Sequence, residues 1–251
     1  ISGVIQLTLL KKKLDEKQFK NWTNINRESV VLVRGIVKEN KEAPGGVEML
    51  PDNIELLNEA ETPLPLGVID KIDSEIETRL NARYMDLRKK DIAAHFQIRA
   101  AVSGAVHKHL RREKFLEVQT PKIIASATEG GTSLFEMKYF DRTAYLAQSP
   151  QLYKQILMGG GLERVYEVGP AFRAEEHNTP RHLNEFISID IEMSFADDDV
   201  VMGVMERLVD SASRAVAKEA EALEILDIKP IELELPLPRI TYDDAVEMAK
   251  G

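Results

Sequence analysis

The sequence predicts an α+β protein of two units, and three observations carry that expectation. Residues 1–57 hold short β-prone runs with one small helix among them. The stretches 91–113 and 197–221 repeat apolar residues at helical spacing. Between those helices, Val165-Tyr166-Glu167-Val168 and Glu185 to Ile191 are rich in β-branched and aromatic residues, as strands are.

Composition narrows the class. A chain of 251 residues with 43% hydrophobic and 30% charged residues fits a globular protein able to bury a core. No apolar run approaches the ~18 residues of a membrane span, and the opening ISGVIQLTLL lacks the basic lead and cleavage site of a signal peptide. The absence of cysteine excludes disulfides and thiolate metal sites and suits a reducing compartment such as the cytoplasm. A net charge of −9 argues against nonspecific coating of nucleic acid, yet leaves room for basic patches such as Lys11-Lys12-Lys13. With no initiator Met, a strand-like start and a helix-like end, the chain reads as a fragment.

Taken in order, residues 3–8 alternate like a strand, Leu14 to Trp22 read as a short helix, and Ser29 to Val37 form a strong strand in which Gly35 marks a bulge or bend. Ala43-Pro44-Gly45-Gly46 is a turn, followed by strand candidates at 47–50 and 54–57. Short strands around one helix point to a five-stranded barrel of the oligonucleotide-binding (OB) type, lacking its opening strands, with other small barrels or sandwiches as alternatives. Residues 58–90 form a hinge, stiffened by Thr62-Pro63-Leu64-Pro65 and followed by the Arg-dense run from Thr78 to Arg88, either a helical turn or a basic linker.

The helix at 91–113 lines Ile98, Val102, Val106 and Leu110 on one face, and Phe115 to Pro121 read as a strand stopped by proline. Thr128-Glu129-Gly130-Gly131-Thr132 is a loop whose two glycines permit a hinge. Ser149-Pro150 begins a helix, with Ser as cap and Pro in its first turn. Gln151 and Lys154 then share one face, an amide and an ammonium suited to a carboxylate. The run FRAEEHNTPRHLNEFISIDIE at 172–192 reads as a β-hairpin. Arg173 and Glu175 share a face if the strand continues that far. Asp190 and Glu192 share one face of the returning strand, and Ile187, Ile189 and Ile191 the other. Guanidinium, aromatic ring and carboxylates on one face suit a phosphate, a purine and an ammonium. A long helix at 197–221 follows, with Val201, Met205, Leu208 and Val209 as its apolar face and Asp197-Asp198-Asp199 as helix-start charge. Arg239 to Ala245 reads as a strand end, a Thr cap and a last helix.

The string FRAEEHNTPRHLNEFISIDIE closely resembles the second signature motif of the class II aminoacyl-tRNA synthetases, and within them the aspartyl enzymes of archaeal and eukaryotic type. Ser-Pro-Gln-Leu-Tyr-Lys-Gln at 149–155, the TRL-x-x-R-x-x-DLR string at 78–88 and the helix–strand–Pro121 unit resemble other parts of the same family. The resemblance implies an anticodon-binding barrel at 1–57, a hinge at 58–90 and an antiparallel-sheet catalytic domain flanked by helices at 91–251, both domains incomplete. It implies an ATP-dependent ligase acting on L-aspartate and tRNA(Asp), and a homodimer through the region around Pro121. Pro44 matches relaxed members that also charge tRNA(Asn), although a Pro before Gly-Gly needs no function beyond its turn.

By the same resemblance, Arg173 acts at the α-phosphate, Glu175 at the adenine amine, Phe186 under the adenine, and Arg181 and His182 near the distal phosphates. Glu129 and Asp190 hold the substrate ammonium, while Lys154 and Gln151, beside Ser149, read its side-chain carboxylate. The third family motif and the usual magnesium ligands have no match in the chain, so Mg2+ is implied with ATP but without named ligands. The rival readings are a non-catalytic tRNA-binding paralogue, against which the set Arg173, Glu175, Lys154 and Asp190 speaks, and an asparaginyl-tRNA synthetase, which Lys154 disfavours.

Overall fold

The computed structural model of the chain describes residues 3–68, 74–126, 134–177, 179 and 182–250. They fall into two compact units, residues 1–86 and 87–251.

In the first unit, β1 (Gln6–Leu7), α1 (Glu16–Thr23), β2 (Val30–Glu39) and β3 (Val47–Asn58) follow one another. The strands form one sheet in the order β1-β3-β2, with β1 parallel and β2 antiparallel to β3. These three strands are what the described residues supply towards the expected barrel. Helix α1 starts later than Leu14 because Asp15 takes the cap position, its Oδ1 accepting from the Gln18 amide at 2.7 Å. The two strands expected at 47–50 and 54–57 are one, because Pro51 lies opposite the bulge at Gly35, where the ladder already shifts register. A missing N–H is tolerated there. A Cβ on Gly35 would lie 2.3 Å from the Leu50 carbonyl oxygen, so this close approach requires glycine. The turn from β2 to β3 is a single 3-10 turn at Pro44–Gly46, closed by Asn40 N donating to Gly46 O at 2.9 Å.

The Arg-dense stretch is helical, as α2 (Ile76–Asn81) and α3 (Arg83–Asp86). Two of its arginines turn inward. Arg79 Nε donates to Asp86 Oδ1 at 3.0 Å and Arg83 pairs with the same fully buried carboxylate. Leu66, Ala82 and Met85 form a small core beside them.

The second unit runs α4 (Lys90–Arg112), β4 (Leu116–Glu117), β5 (Ile123–Ile124), β6 (Glu136–Tyr139), β7 (Arg142–Leu146), α5 (Gln151–Gly159), β8 (Arg164–Phe172), β9 (Glu185–Met193), α6 (Asp198–Val216), α7 (Ala220–Leu226) and α8 (Tyr242–Met248). One sheet is β4-β8-β9 and another β5-β7-β6. Against one face of the first sheet, α4 and α6 pack the core of Val106, Leu110, Phe115, Tyr166, Val204 and Leu208, with Val168, Ile191 and Met193 beside it.

Several expectations shift here. The strand expected from Phe115 to Pro121 is reduced to Leu116–Glu117, with one further bond from Val118 N to Tyr166 O at 2.9 Å. Phe115 leaves the strand and enters the core, following Lys114 at a φ of +64°. The single helix expected over 197–221 is two, because Lys218 N and Glu219 N close onto Ala215 O and Val216 O three residues back and tighten the turn shut. Its core-facing residues are Val204 and Leu208, whereas Met205 and Val209 are exposed. Asp197 caps α6, its Oδ1 accepting from Val200 N at 3.0 Å. Thr241 and Asp244 form a capping box on α8. The strand end expected at Arg239 is absent, and Arg239 NH1 instead lies 2.7 Å from Glu206 Oε1.

Candidate active site

Antiparallel pairing of β8 and β9 sets the floor of the site. Glu167 lies opposite Asp190, Gly169 opposite Ser188 and Ala171 opposite Phe186, so these six share one face. The other face carries Tyr166, Val168 and Ile191 into the core. Ile187 and Ile189, on that same side, stand half exposed in a groove of about 650 Å³ that Arg99 and Val102 also line.

Above the floor runs α5. Pro150 takes the cap position expected of Ser149, and Ser149 Oγ, one residue earlier, accepts from the Gln151 amide at 3.2 Å. A lysine on an amphipathic helix ordinarily reaches water, but Lys154 is only 8% exposed. Its Nζ donates to Asp190 Oδ1 and to the Ile191 carbonyl oxygen, both at 3.2 Å, and lies 3.5 Å from Glu192 Oε2. Ser188 Oγ donates to the other Asp190 oxygen at 2.5 Å. Gln151, one turn earlier in α5, is half buried.

At the far end of the hairpin the expected strand stops at Phe172, before Arg173 and Glu175. Arg173 N makes a last rung to Asn184 O at 3.0 Å. The chain then turns, with Glu175 N donating to Arg173 O at 2.8 Å and to Asn184 Oδ1 at 3.0 Å. The strict alternation expected of Arg173 and Glu175 therefore does not apply. The Arg173 guanidinium instead lies over the Phe186 ring, 5.2 Å from its centroid. His182 is exposed and shares a 2.6 Å hydrogen bond with Thr179 Oγ1. Glu129 and Arg181 lie outside the described residues. Pro44 belongs to the first unit, in the turn given above.

The structure thus brings Lys154 and Asp190 together, and separately Arg173 and Phe186, on one sheet face. Sequence reasoning missed four participants. Glu192 was legible, two residues from Asp190 on its face. Asn184, Ser188 and Glu167 depend on cross-strand register, which residue types alone do not give.

The model of the class II tRNA synthetases (D, K and N) matches residues 75–251. The chain belongs to this family. Among its curated relatives, the aspartate–tRNA(Asp/Asn) ligase of Archaeoglobus fulgidus is 54% identical over 248 residues, which is 98% of this chain and 58% of the relative. The aspartate–tRNA(Asp) ligase of Thermoplasma acidophilum is 50% identical over 248 residues, 98% of this chain and 57% of that one. Among solved class II structures, the asparaginyl-tRNA synthetase of Pyrococcus horikoshii with asparaginyl-adenylate superposes with a TM-score of 0.86 at 30% identity, over 99% of this chain and 58% of that one. The aspartyl tRNA synthetase of Entamoeba histolytica gives 0.79 at 31%, over 98% and 54%. The chain spans somewhat under three fifths of the length of these relatives.

Proposed function

We propose that the chain supplies the aspartate- and ATP-binding floor of an aspartate–tRNA ligase, joined to an OB-type anticodon-binding unit at 1–57. The observation that carries this reading is the buried ammonium of Lys154, held between Asp190 and Glu192 on the same sheet face as Phe186 and Arg173. An L-aspartate zwitterion matches that arrangement. Its side-chain carboxylate goes to Lys154, with Gln151 beside it, and its ammonium goes to Asp190, with Glu129 as a second carboxylate.

The reaction has two steps. The aspartate α-carboxylate attacks the α-phosphorus of ATP, releasing pyrophosphate, and a ribose hydroxyl at the tRNA 3′ end then takes the aspartyl group from the adenylate. Neither step needs a protein nucleophile, so positioning and charge stabilisation carry the catalysis. Arg173 meets the negative charge that builds on the α-phosphate, Phe186 stacks the adenine, and Glu175 accepts from the adenine amine. Arg181 and His182 are assigned to the distal phosphates. Among the described residues no group of three or more His, Asp or Glu side chains is spaced to hold a metal ion. Magnesium is implied by the ATP chemistry, and no residue of this chain is assigned to it.

Asparagine as substrate is the second reading, favoured by the asparaginyl structure that superposes at a TM-score of 0.86. A neutral amide has no need of a buried ammonium, and the named ligases at 54% and 50% identity act on aspartate, so aspartate is preferred. Charging of tRNA(Asn) beside tRNA(Asp), a homodimer contact around Pro121, near the half-exposed Leu116 and Ile123, and a cytoplasmic location belong to the same reading.

Lys154→Ala in the natural polypeptide that carries this chain tests it. Removing one partner of a buried ion pair costs on the order of 3–5 kcal/mol, so aspartate-dependent ATP–pyrophosphate exchange falls by at least about a hundredfold. Near-wild-type exchange with aspartate, or exchange with asparagine in its place, sinks the assignment.

A further inference from the structure

Glu167 has no part in that reaction, yet it is only 3% exposed and lies on β8 directly opposite Asp190. Like charges so placed repel. The repulsion has a visible answer in the segment between β4 and β5. The Thr120 amide donates to Glu167 Oε1 at 3.2 Å and its hydroxyl to Oε2 at 2.6 Å. Lys122 Nζ lies 2.7 Å from Oε1 and donates to Thr120 Oγ1 at 3.0 Å. Gly169 leaves room for this carboxylate, since a Cβ there would stand 3.0 Å from Oε1. The face thus carries three carboxylates, Glu167, Asp190 and Glu192, and two ammoniums, Lys122 from the segment between β4 and β5 and Lys154 from α5.

We infer that Lys122, acting through Glu167, is a positioning residue of the aspartate pocket. By neutralising Glu167 it keeps the Lys154 ammonium from being drawn towards a third floor carboxylate. Lys154 then remains seated between Asp190 and Glu192, ready for a substrate carboxylate. Without Lys122, Glu167 is a buried charge lacking its cation, Lys154 is the ammonium already on that face, and its pull towards the floor competes with substrate. The inference rests on the reading of Lys154 given above.

The experiment measures aspartate and ATP kinetics of pyrophosphate exchange for Lys122→Met, Lys122→Arg, Glu167→Gln and the Lys122→Met/Glu167→Gln double variant. Lys122→Met should raise KM for aspartate about tenfold with kcat and KM for ATP changed less than about threefold, the pattern of lost binding rather than lost chemistry. Lys122→Arg should lie near wild type. The double variant should recover most of the aspartate affinity, because it removes both charges together. A purely structural anchor predicts the reverse, since the double variant loses every bond between Lys122 and β8. Unchanged aspartate KM in Lys122→Met, or a double variant no better than Lys122→Met, overturns the inference. Should Lys122→Met fail to fold, the double variant and Lys122→Arg decide by the same criteria. Lys154→Ala run in parallel separates the two failures. If that variant still activates aspartate as wild type does, the reading of Lys154 falls and this inference with it; if it does not while Lys122→Met behaves as wild type, only the role of Lys122 falls.

Discussion

Asn184 does two jobs at the point where the hairpin opens. Its carbonyl accepts the last rung from Arg173 N at 3.0 Å, and its side-chain Oδ1 accepts from Glu175 N at 3.0 Å. The first bond uses backbone and survives substitution, while the second does not. Asn184→Ala should therefore leave the strands paired but release the segment that carries Glu175. A neutral hydrogen bond contributes about 1 kcal/mol, so KM for ATP should rise roughly fivefold while KM for aspartate stays put, as varied-ATP exchange kinetics would record. Lys154, Asp190 and Phe186 were legible because their residue types are unusual together and sit in long, specific strings. Asn184 and Glu167 were not legible. An asparagine after a loop and a glutamate in a strand are ordinary until register shows what each faces.

Among the elements, α4 and α6 are joined by more than apolar packing. Arg207 in α6 donates to both oxygens of Glu113, just past the end of α4, from Nε at 2.6 Å and NH2 at 2.8 Å. These bonds, helped by the charges of Arg207, His109 and Arg164, hold the Glu113 carboxyl below the usual carboxylate range against a smaller opposing push from burial. A carboxylate so held binds its proton less readily folded than unfolded. Its stabilisation is full above the ordinary carboxylate pKa of about 4.3 and is lost as pH falls through the lower folded value. Since Arg207 is half exposed, the pair contributes about 1 kcal/mol or less. Arg207→Met should lower the urea midpoint at pH 7, and the difference from wild type should shrink to nothing as the pH is taken below the Glu113 titration. A gap that persists in acid means that packing, not charge, joins the two helices. Element positions were broadly legible here, for α4, α5 and the hairpin follow their periodicity. Their limits were not, because the break after Val216 and the continuity of β3 through Pro51 come from backbone closure and a bulge rather than from any breaker residue.

Over the whole chain, the sequence puts a hinge at 58–90, while the two compact units part between Asp86 and Leu87. No helix among the described residues is long and apolar enough to cross a membrane. The strands of the first unit were less legible than those of the second. Its sheet has many half-exposed apolar positions, such as Val30, Ile36 and Leu57, so alternation there does not mark an inside and an outside.

The division into units has a spectroscopic consequence. The single tryptophan of the chain, Trp22, lies in α1 of the first unit. Indole emission therefore reports on the surroundings of α1. Far-ultraviolet dichroism is weighted instead towards α4 to α8, all in the second unit. The two signals should give separate midpoints in urea, and a curve followed by tryptophan alone would describe the unit that lacks Lys154. Coincident midpoints would mean that the units unfold as one cooperative body.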